Sequence, residues 1–333
     1  MKALCVTPER HLALRDVPPP IQPAAEHVLV TMEASAINHG DITFLRSPAA
    51  VGTALKAAQH DVWGASGAGR VTAVGEGVPA EYLGCKVAIY RSLRRTPETL
   101  GLWSEQAQMH FSTCLILPEE VDAVDYSGSL VNVMTAYAFI EEVTKEGHRG
   151  IVVTAGNSAT GLAMAALARR RGMPSIFLVR SEGARVALIE QGIEHVVDTS
   201  TDDFADTFER LTEALGTTAV FEGVGGDLPG RIAPLLPVNS AMYFYGFLGG
   251  QAPFSLTTLL VMAKNLTLKR FSNFESATVK QPGKLQEALR YLQDVIGDPL
   301  FRTRLGQRFT YEAIDEALAY AGPGGTKAVL TAF

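Results

Sequence analysis

The chain has 333 residues, which suits two domains better than one. Hydrophobic residues make up 47% and charged residues 19%, so a large core is available and the composition argues against disorder. A net charge of −6, a pI near 5.7 and the lack of any long Lys/Arg run argue against a nucleic-acid partner.

The opening "MKALCVTPERHLALRD" carries charge too early, and too little apolar length, for a signal peptide. No apolar run reaches the ~18 residues of a membrane span. The three cysteines, Cys5, Cys85 and Cys114, are far apart and odd in number, which points to a reducing cytoplasm. No C-x-x-C or H-x-x-x-H spacing is present, so no metal site is expected. Over residues 1–125 the runs "KALCV", "EHVLVTMEA", "GRVTAVGEGV", "CKVAIY" and "CLILP" read as short strands between Gly, Pro and charge. This part is expected to be a β-rich domain.

From 126 the pattern changes. "DYSGSLVNVMTAYAFIEEVTKEG" predicts a helix closed by Gly147. Strand-like and helix-like segments then alternate, beginning with "GIVVTA", "SIFLV", "HVVDT", "TAVFEGVG", "AMYFYGF" and "LTLKRF". Six β units with five intervening helices predict a doubly wound α/β domain over 126–270, with a six-stranded parallel sheet. The strands are continuous apolar runs, as befits a sheet covered on both faces. Two amphipathic helices follow. The first is opened by Pro282 and carries Leu285, Leu289, Leu292 and Val295; the second runs from Ile314 to a cap at Gly322. The last strand, "TKAVLTAF", has no place in the alternating series. Residues 271–333 are therefore expected to return to the first domain.

The stretch "TAGNSATGLA" lies between a strand and a helix, the setting of a dinucleotide loop. Its glycines, Gly156 and Gly161, suit a tight turn and close helix packing respectively. Ser158 stands where the middle glycine of G-x-G-x-x-G is usual, and its hydroxyl can meet a phosphate. Asn157, Ala159 and Thr160 complete the loop, at a helix N-terminus that favours pyrophosphate. The second strand of the series ends in Arg180 and Ser181, with Arg185 one turn on. Two guanidiniums and a hydroxyl suit the 2′-phosphate of NADPH rather than the free ribose of NADH. Glu182 stands among them and is expected to face solvent at the helix start.

In its ordered motifs the chain resembles the medium-chain dehydrogenase/reductase superfamily. These are "ASAINHGDITFLRS" (34–47), "GASGAGRVTAVGEGV" (64–78), "GLWSEQAQM" (101–109), "LPEEVD" (117–122), "VNVMTAY" (131–137), the glycine turn, "TTAVFEGVGG" and "GGTKAVL". The resemblance implies a GroES-like catalytic domain interrupted by a Rossmann domain, an active site in the cleft between them, and a homodimer, here through paired "LTLKRF" edge strands. Zinc alcohol dehydrogenases of the superfamily carry Cys, His and Glu where this chain has Asn38, Ala65 and Ser66. A zinc-independent reductase is therefore implied. Quinone oxidoreductases share the "N-x-x-D" of Asn38 and Asp41. Enoyl-thioester reductases share "VNVMTAY", "GNSATG" and the "VR" after the second strand. They also carry a catalytic tyrosine in a region that here, over 42–63, has none.

The expected function is an NADPH-dependent reductase of a small quinone or other α,β-unsaturated carbonyl. The alternatives are an enoyl-CoA/ACP reductase and a catalytically weak NADPH-binding sensor. Candidate catalytic residues are Asn38, Asp41 and Tyr90, the last as proton donor after "KVAIY". Arg91 follows it in "RSLRR". Trp63 and Trp103 are candidates either for pocket walls or for core. Asn38, and by resemblance Thr135 and Lys327, are expected near the cofactor. Gly246, Phe247, Leu248, Ser272 and Asn273 are expected beside the nicotinamide, at the ends of the fifth and sixth strands of the series. His39 reads as a bland loop residue.

Overall fold

A computed structural model describes residues 1–46, 58–250 and 252–331. The chain divides into two units, Met1–Asn132 with Leu285–Phe333, and Val133–Lys284.

The first unit begins with a hairpin of β1 (Lys2–Val6) and β2 (Leu12–Asp16). The apolar runs that follow become β3 (His27–Ala36), a helix α1 (His39–Arg46), β4 (Ser66–Val74), β5 (Lys86–Tyr90), β6 (Gln106–His110) and β7 (Cys114–Ile116). The helix expected from 126 starts later: a 3-10 turn over Ala123–Tyr126 precedes α2 (Ser129–Lys145).

In the second unit, strands and helices alternate. They are β8 (Ile151–Val153), α3 (Ala159–Arg170), β9 (Ser175–Val179), α4 (Glu182–Glu190), β10 (Val196–Asp198) and α5 (Phe204–Leu215). Next come β11 (Ala219–Glu222), α6 (Leu228–Ile232), β12 (Ala241–Phe244), α7 (Thr258–Lys264), β13 (Thr267–Arg270) and α8 (Ala277–Lys280). The chain ends with α9 (Pro282–Val295), β14 (Leu305–Thr310), α10 (Ile314–Ala319) and β15 (Lys327–Thr331). The second amphipathic helix thus stops at Ala319, short of Gly322. Its buried face is one turn long, Ile314 and Ala317, and Ala321 is exposed. The last two residues of "TKAVLTAF" lie outside the described residues.

The sheet of the first unit runs β14-β15-β3-β4-β5-β7, with β6 also on β3. The C-terminal strand β15 is antiparallel to β3, with Val329 opposite Ala36. This sets Lys327 near the end of β3.

The sheet of the second unit runs β10-β9-β8-β11-β12-β13, with every pair parallel. This is the 3-2-1-4-5-6 order of the Rossmann fold, and its switch point lies between β8 and β11. One core includes Val152, Ile176, Val220, Met242, Phe208 and Ile232. Phe208 on α5 is fully buried, a gain of roughly 1.5–3 kcal/mol over exposure. Another face is aromatic: Phe139 of α2 packs on Phe221, Tyr243 and Phe271. Parallel strands in register bring their carboxyl ends to one edge, where the loops gather.

Candidate active site

In the first unit, β3 leads into α1 with Asn38 just before the helix and Asp41 as its third residue. Asp41 is 1% exposed. Its Oδ2 accepts from the Asn38 N–H at 2.9 Å, the reach-back of a capping box. Its Oδ1 accepts from the Ala65 N–H at 3.0 Å. The "N-x-x-D" motif thus starts a helix and clamps the 65–66 segment; His39 is exposed on the first turn.

The Asn38 side chain is bonded at both ends. Its Nδ2 donates to Ser66 Oγ at 2.6 Å, and its Oδ1 accepts from Lys327 Nζ. Burial pushes the Asp41 carboxyl up to about 6, against the two N–H donors and the charges of Arg91 and Lys327. Burial pushes Lys327 down to about 8, partly offset by Asp41.

Tyr90 ends β5, buried, with its backbone opposite Ser66. The next residue, Arg91, is 3% exposed. Its backbone N–H donates to Ala65 O at 3.1 Å and its Nη1 to Val62 O at 3.2 Å. Its Nη2 is buried with no hydrogen-bond partner among the described residues. Burial lowers the guanidinium to about 10, with Asp41 opposing the shift. Trp63 and Trp103 are both buried, and each indole N–H also lacks a partner there. Sequence reasoning preferred Tyr90. The one signal for Arg91 was a charge placed directly after an apolar strand.

In the second unit the glycine turn follows β8. The left-handed residue is Ala155, at φ 51°, while Gly156 lies outside that region. Gly156 is therefore not the turning residue that the sequence suggested. It is small because a Cβ there would meet Phe177 Cβ at 2.9 Å and Leu178 O at 3.2 Å; the turn rides against β9. A Cβ on Gly161 would meet Gly156 C at 2.8 Å and Ala155 O at 2.9 Å, so the helix packs on the turn itself. Ser158 caps α3 by accepting from the Gly161 N–H at 3.0 Å. Its O–H is still able to donate. Asn157, Ala159 and Thr160 are part-buried around this helix start.

After β9, Arg180 is exposed and Ser181 caps α4 through the Ala184 N–H at 3.3 Å. Arg185 does not stand apart from Glu182. Its Nε and Nη2 donate to the two carboxylate oxygens, each at 2.6 Å. Glu182 is exposed at the helix start, as expected, but its carboxylate also occupies the fork that was assigned to a phosphate, because the i,i+3 spacing puts the two on one helix face.

At the ends of the other strands, Asn273 Nδ2 donates to Thr135 Oγ1 at 3.0 Å. This joins two residues picked out separately by sequence. The segment after β12 continues beside the one after β11: Leu248 N–H donates to Gly223 O at 2.9 Å and Gly249 N–H to Val224 O at 2.7 Å. Gly246 is part-buried there, Phe247 and Leu248 are exposed, and Ser272 is part-buried after β13. Sequence reasoning missed Glu222 and Tyr245 at this edge. Glu222 is fully buried; its Oε1 accepts from the Val224 and Gly225 N–H groups, each at 2.6 Å, and its Oε2 has no partner among the described residues. Burial raises its carboxyl. Tyr245 stacks on Phe221 at 3.7 Å, and burial raises its hydroxyl too. Among the described residues no group of three or more His, Cys, Asp or Glu is arranged to hold a metal ion, and no helix is long and apolar enough to cross a membrane.

No family model matches the sequence. The chain is 28% identical over 185 residues to the human synaptic vesicle membrane protein VAT-1 homolog, covering 55% of this chain and 45% of that protein. The chain thus matches less than half the length of that relative. It is 26% identical over 270 residues to the mitochondrial enoyl-[acyl-carrier-protein] reductase of Caenorhabditis elegans, covering 79% of this chain and 74% of that one. Among solved structures it is similar to the Escherichia coli quinone oxidoreductase complexed with NADPH. The TM-score is 0.72 at 19% identity, over 99% of this chain and 98% of that one. The likeness to the solved structure is one of fold: a β-rich GroES-like unit and a Rossmann unit.

Proposed function

We propose that this chain, which has the fold of the medium-chain dehydrogenase/reductase superfamily, is an NADPH-dependent, zinc-independent reductase of a quinone or another α,β-unsaturated carbonyl. The observation that carries this reading is the carboxyl edge of the parallel sheet. There the turn of Gly156 and Gly161, too tight for a Cβ at either glycine, opens α3, and after β13 at the same edge Asn273 bonds Thr135. That cradle fits a dinucleotide. The 156–161 turn would hold its pyrophosphate, and Arg180, Ser181 and Arg185 its 2′-phosphate. Thr135, Gly246, Phe247, Leu248, Ser272 and Asn273 would surround its nicotinamide. NADPH, when bound, supplies the hydride.

Zinc independence is supported by the Asn38–Ser66 hydrogen bond at 2.6 Å, which joins two of the positions that carry ligands in zinc enzymes of the superfamily. A quinone acceptor is preferred to an enoyl thioester because residues 42–63 lack a tyrosine; the likeness to the nematode enoyl reductase supports the second reading. A homodimer is supported by β13, an edge strand, and by Leu259 and Met262 on α7, which are 77% and 74% exposed. The unpaired thiols of Cys5, Cys85 and Cys114 suit a reducing cytoplasm.

The test is a binding and turnover panel. NADPH binding is read by fluorescence, and turnover with 9,10-phenanthrenequinone, 2-cyclohexenone and crotonyl-CoA. Turnover of the first two ahead of crotonyl-CoA is expected. Stoichiometric bound zinc, or no turnover despite tight NADPH binding, would overturn the reading.

A further inference from the structure

We infer that Arg91 is a catalytic residue of the first unit: its unpartnered Nη2 receives the acceptor oxygen that becomes an anion during reduction. This rests on the reductase reading above.

The guanidinium of Arg91 is buried and uses one arm on Val62 O, while the other arm meets nothing among the described residues. Among the described residues the charge also lacks a contact counter-ion. Asp41 is the nearby carboxylate, but its two oxygens are taken by the N–H groups of Asn38 and Ala65. Lys327 adds a second cation, with its Nζ on Asn38 Oδ1. Arg91 and Lys327, with Arg95 also acting on Arg91, are thus set against one carboxyl that burial itself drives toward neutrality. Buried charge without a paired hydrogen-bonding partner is costly, and such a residue persists where a ligand repays it.

The surroundings suit an oxyanion. The indole N–H groups of Trp63 and Trp103 are buried and unpartnered as well. Trp63 and Trp103 lie next to Arg91's carbonyl partner: Trp63 follows Val62 in the chain, and the Trp103 N–H donates to Trp63 O at 3.0 Å. Three donors without a partner among the described residues thus belong to side chains tied to the 62–63 segment, and a donor seeks an acceptor, not a further cation. Arg91 is held rigidly, because its backbone is bonded to Ala65 O and Ala65 is in turn clamped by Asp41.

The step balances as follows. The acceptor gains a hydride at carbon; a C–H bond forms and the conjugated π bond breaks. The displaced electron pair moves through the conjugated system onto the carbonyl oxygen. Arg91 donates a hydrogen bond to that oxygen and keeps its proton. Water then protonates the product. Preorganised donors of this kind are worth about 10²–10³ in kcat. Arg91 here does what a Lewis-acid metal does elsewhere.

The experiment has two arms on the full chain. In the first, benzoate is the oxyanion probe and benzamide its neutral control. Both are titrated by calorimetry and by tryptophan fluorescence, which reports this cluster because Trp63 and Trp103 are the only tryptophans in the chain. Benzoate is expected to bind at least ~10-fold more tightly than benzamide. Arg91→Gln should remove that preference and Arg91→Lys should retain part of it, since a charge-assisted bond is roughly twice a neutral one. In the second arm, Arg91→Gln should lower kcat for 9,10-phenanthrenequinone about 10²-fold, with NADPH affinity unchanged and Arg91→Lys intermediate. Equal binding of benzoate by wild type and Arg91→Gln, or an unchanged kcat, would overturn the proposal. If Arg91→Gln does not fold, the benzoate–benzamide comparison on wild type and the Arg91→Lys variant decide it. Failure of the reductase reading shows separately, as wild-type protein that reduces no acceptor while still discriminating benzoate from benzamide.

Discussion

Asn273 donates through Nδ2 to Thr135 Oγ1 at 3.0 Å, tying the loop after β13 to the middle of α2. Asn273 is 5% exposed, so its amide has little recourse to water. Thr135→Val keeps the shape and removes this bond from a buried amide, which should cost about 0.5–1.5 kcal/mol of stability. NADPH affinity should fall by several-fold as the loop loses its anchor. Urea unfolding and NADPH titration of the variant check both.

The proposed NADPH preference can be tested at the bidentate pair of Arg185 and Glu182. Glu182 offers the guanidinium fork a carboxylate in competition with a 2′-phosphate. Glu182→Gln should raise the preference for NADPH over NADH by roughly 3–10-fold, because charge-assisted bidentate bonds are the strong ones. Arg185→Ala and Arg180→Asp should lower it. Parallel titrations with the two cofactors give the ratio; an unchanged ratio in all three variants would remove this loop from cofactor discrimination.

Gly161→Ala places a methyl group 2.8 Å from Gly156 C and 2.9 Å from Ala155 O, both backbone atoms that cannot swing aside. A loss of about 1–3 kcal/mol is expected, together with NADPH binding. Ser158→Ala removes the α3 cap along with the hydroxyl offered to phosphate, and should cost about 1 kcal/mol of stability. Thermal unfolding of the pair separates space from capping: the glycine variant must be the worse.

Asp41 should leave a signature in stability against pH. Burial raises its folded-state carboxyl to about 6 from an ordinary value of 3.8, so the folded chain holds the proton more tightly than the unfolded one. Its contribution is full below pH 4 and is lost as pH rises to about 6, up to about 3 kcal/mol at ~1.36 kcal/mol per unit. His110 has the opposite sign: burial lowers it from 6.5 to about 4, so its neutral form adds stability as pH rises through that window. The readout is therefore the difference between wild type and Asp41→Asn. That difference should slope downward from pH 4 to 6 in urea unfolding. The variant should also be weaker throughout, because one of the two N–H groups on Asp41 would then face an amide N–H.

The proposed pairing with a second copy is open to disruption. Met262→Glu with Leu268→Lys adds charges to α7 and to the edge strand β13, at positions 74% and 42% exposed. The double variant should be monomeric by sedimentation with its secondary structure intact. A dimer that persists would place the interface elsewhere.

The alternating strands and helices of the second unit were legible in the sequence. Continuous apolar runs such as "SIFLV" and "AMYFYGF" can be buried only in a sheet covered on both faces, and the helices between them force parallel strands. The dinucleotide turn was legible in its setting but not in the duties of its residues. Two glycines with unlike neighbours look the same in a sequence, and only the backbone reveals that Ala155 turns while Gly156 makes room for β9. Glu182 was likewise seen, but not that it grips Arg185.

Residue types, their spacing and their periodicity determined by themselves the fold class and the position of the glycine turn, because burial patterns and turn chemistry act over short stretches of chain. Only the tertiary structure decided what surrounds Asn38. Ser66 and Lys327 lie 28 and 289 residues away along the chain, and sheet pairing brings them to it. The same folding buried Arg91 and left one of its arms without a partner among the described residues. A strand-end arginine carries no local mark of that fate, because burial depends on which distant segments pack over it.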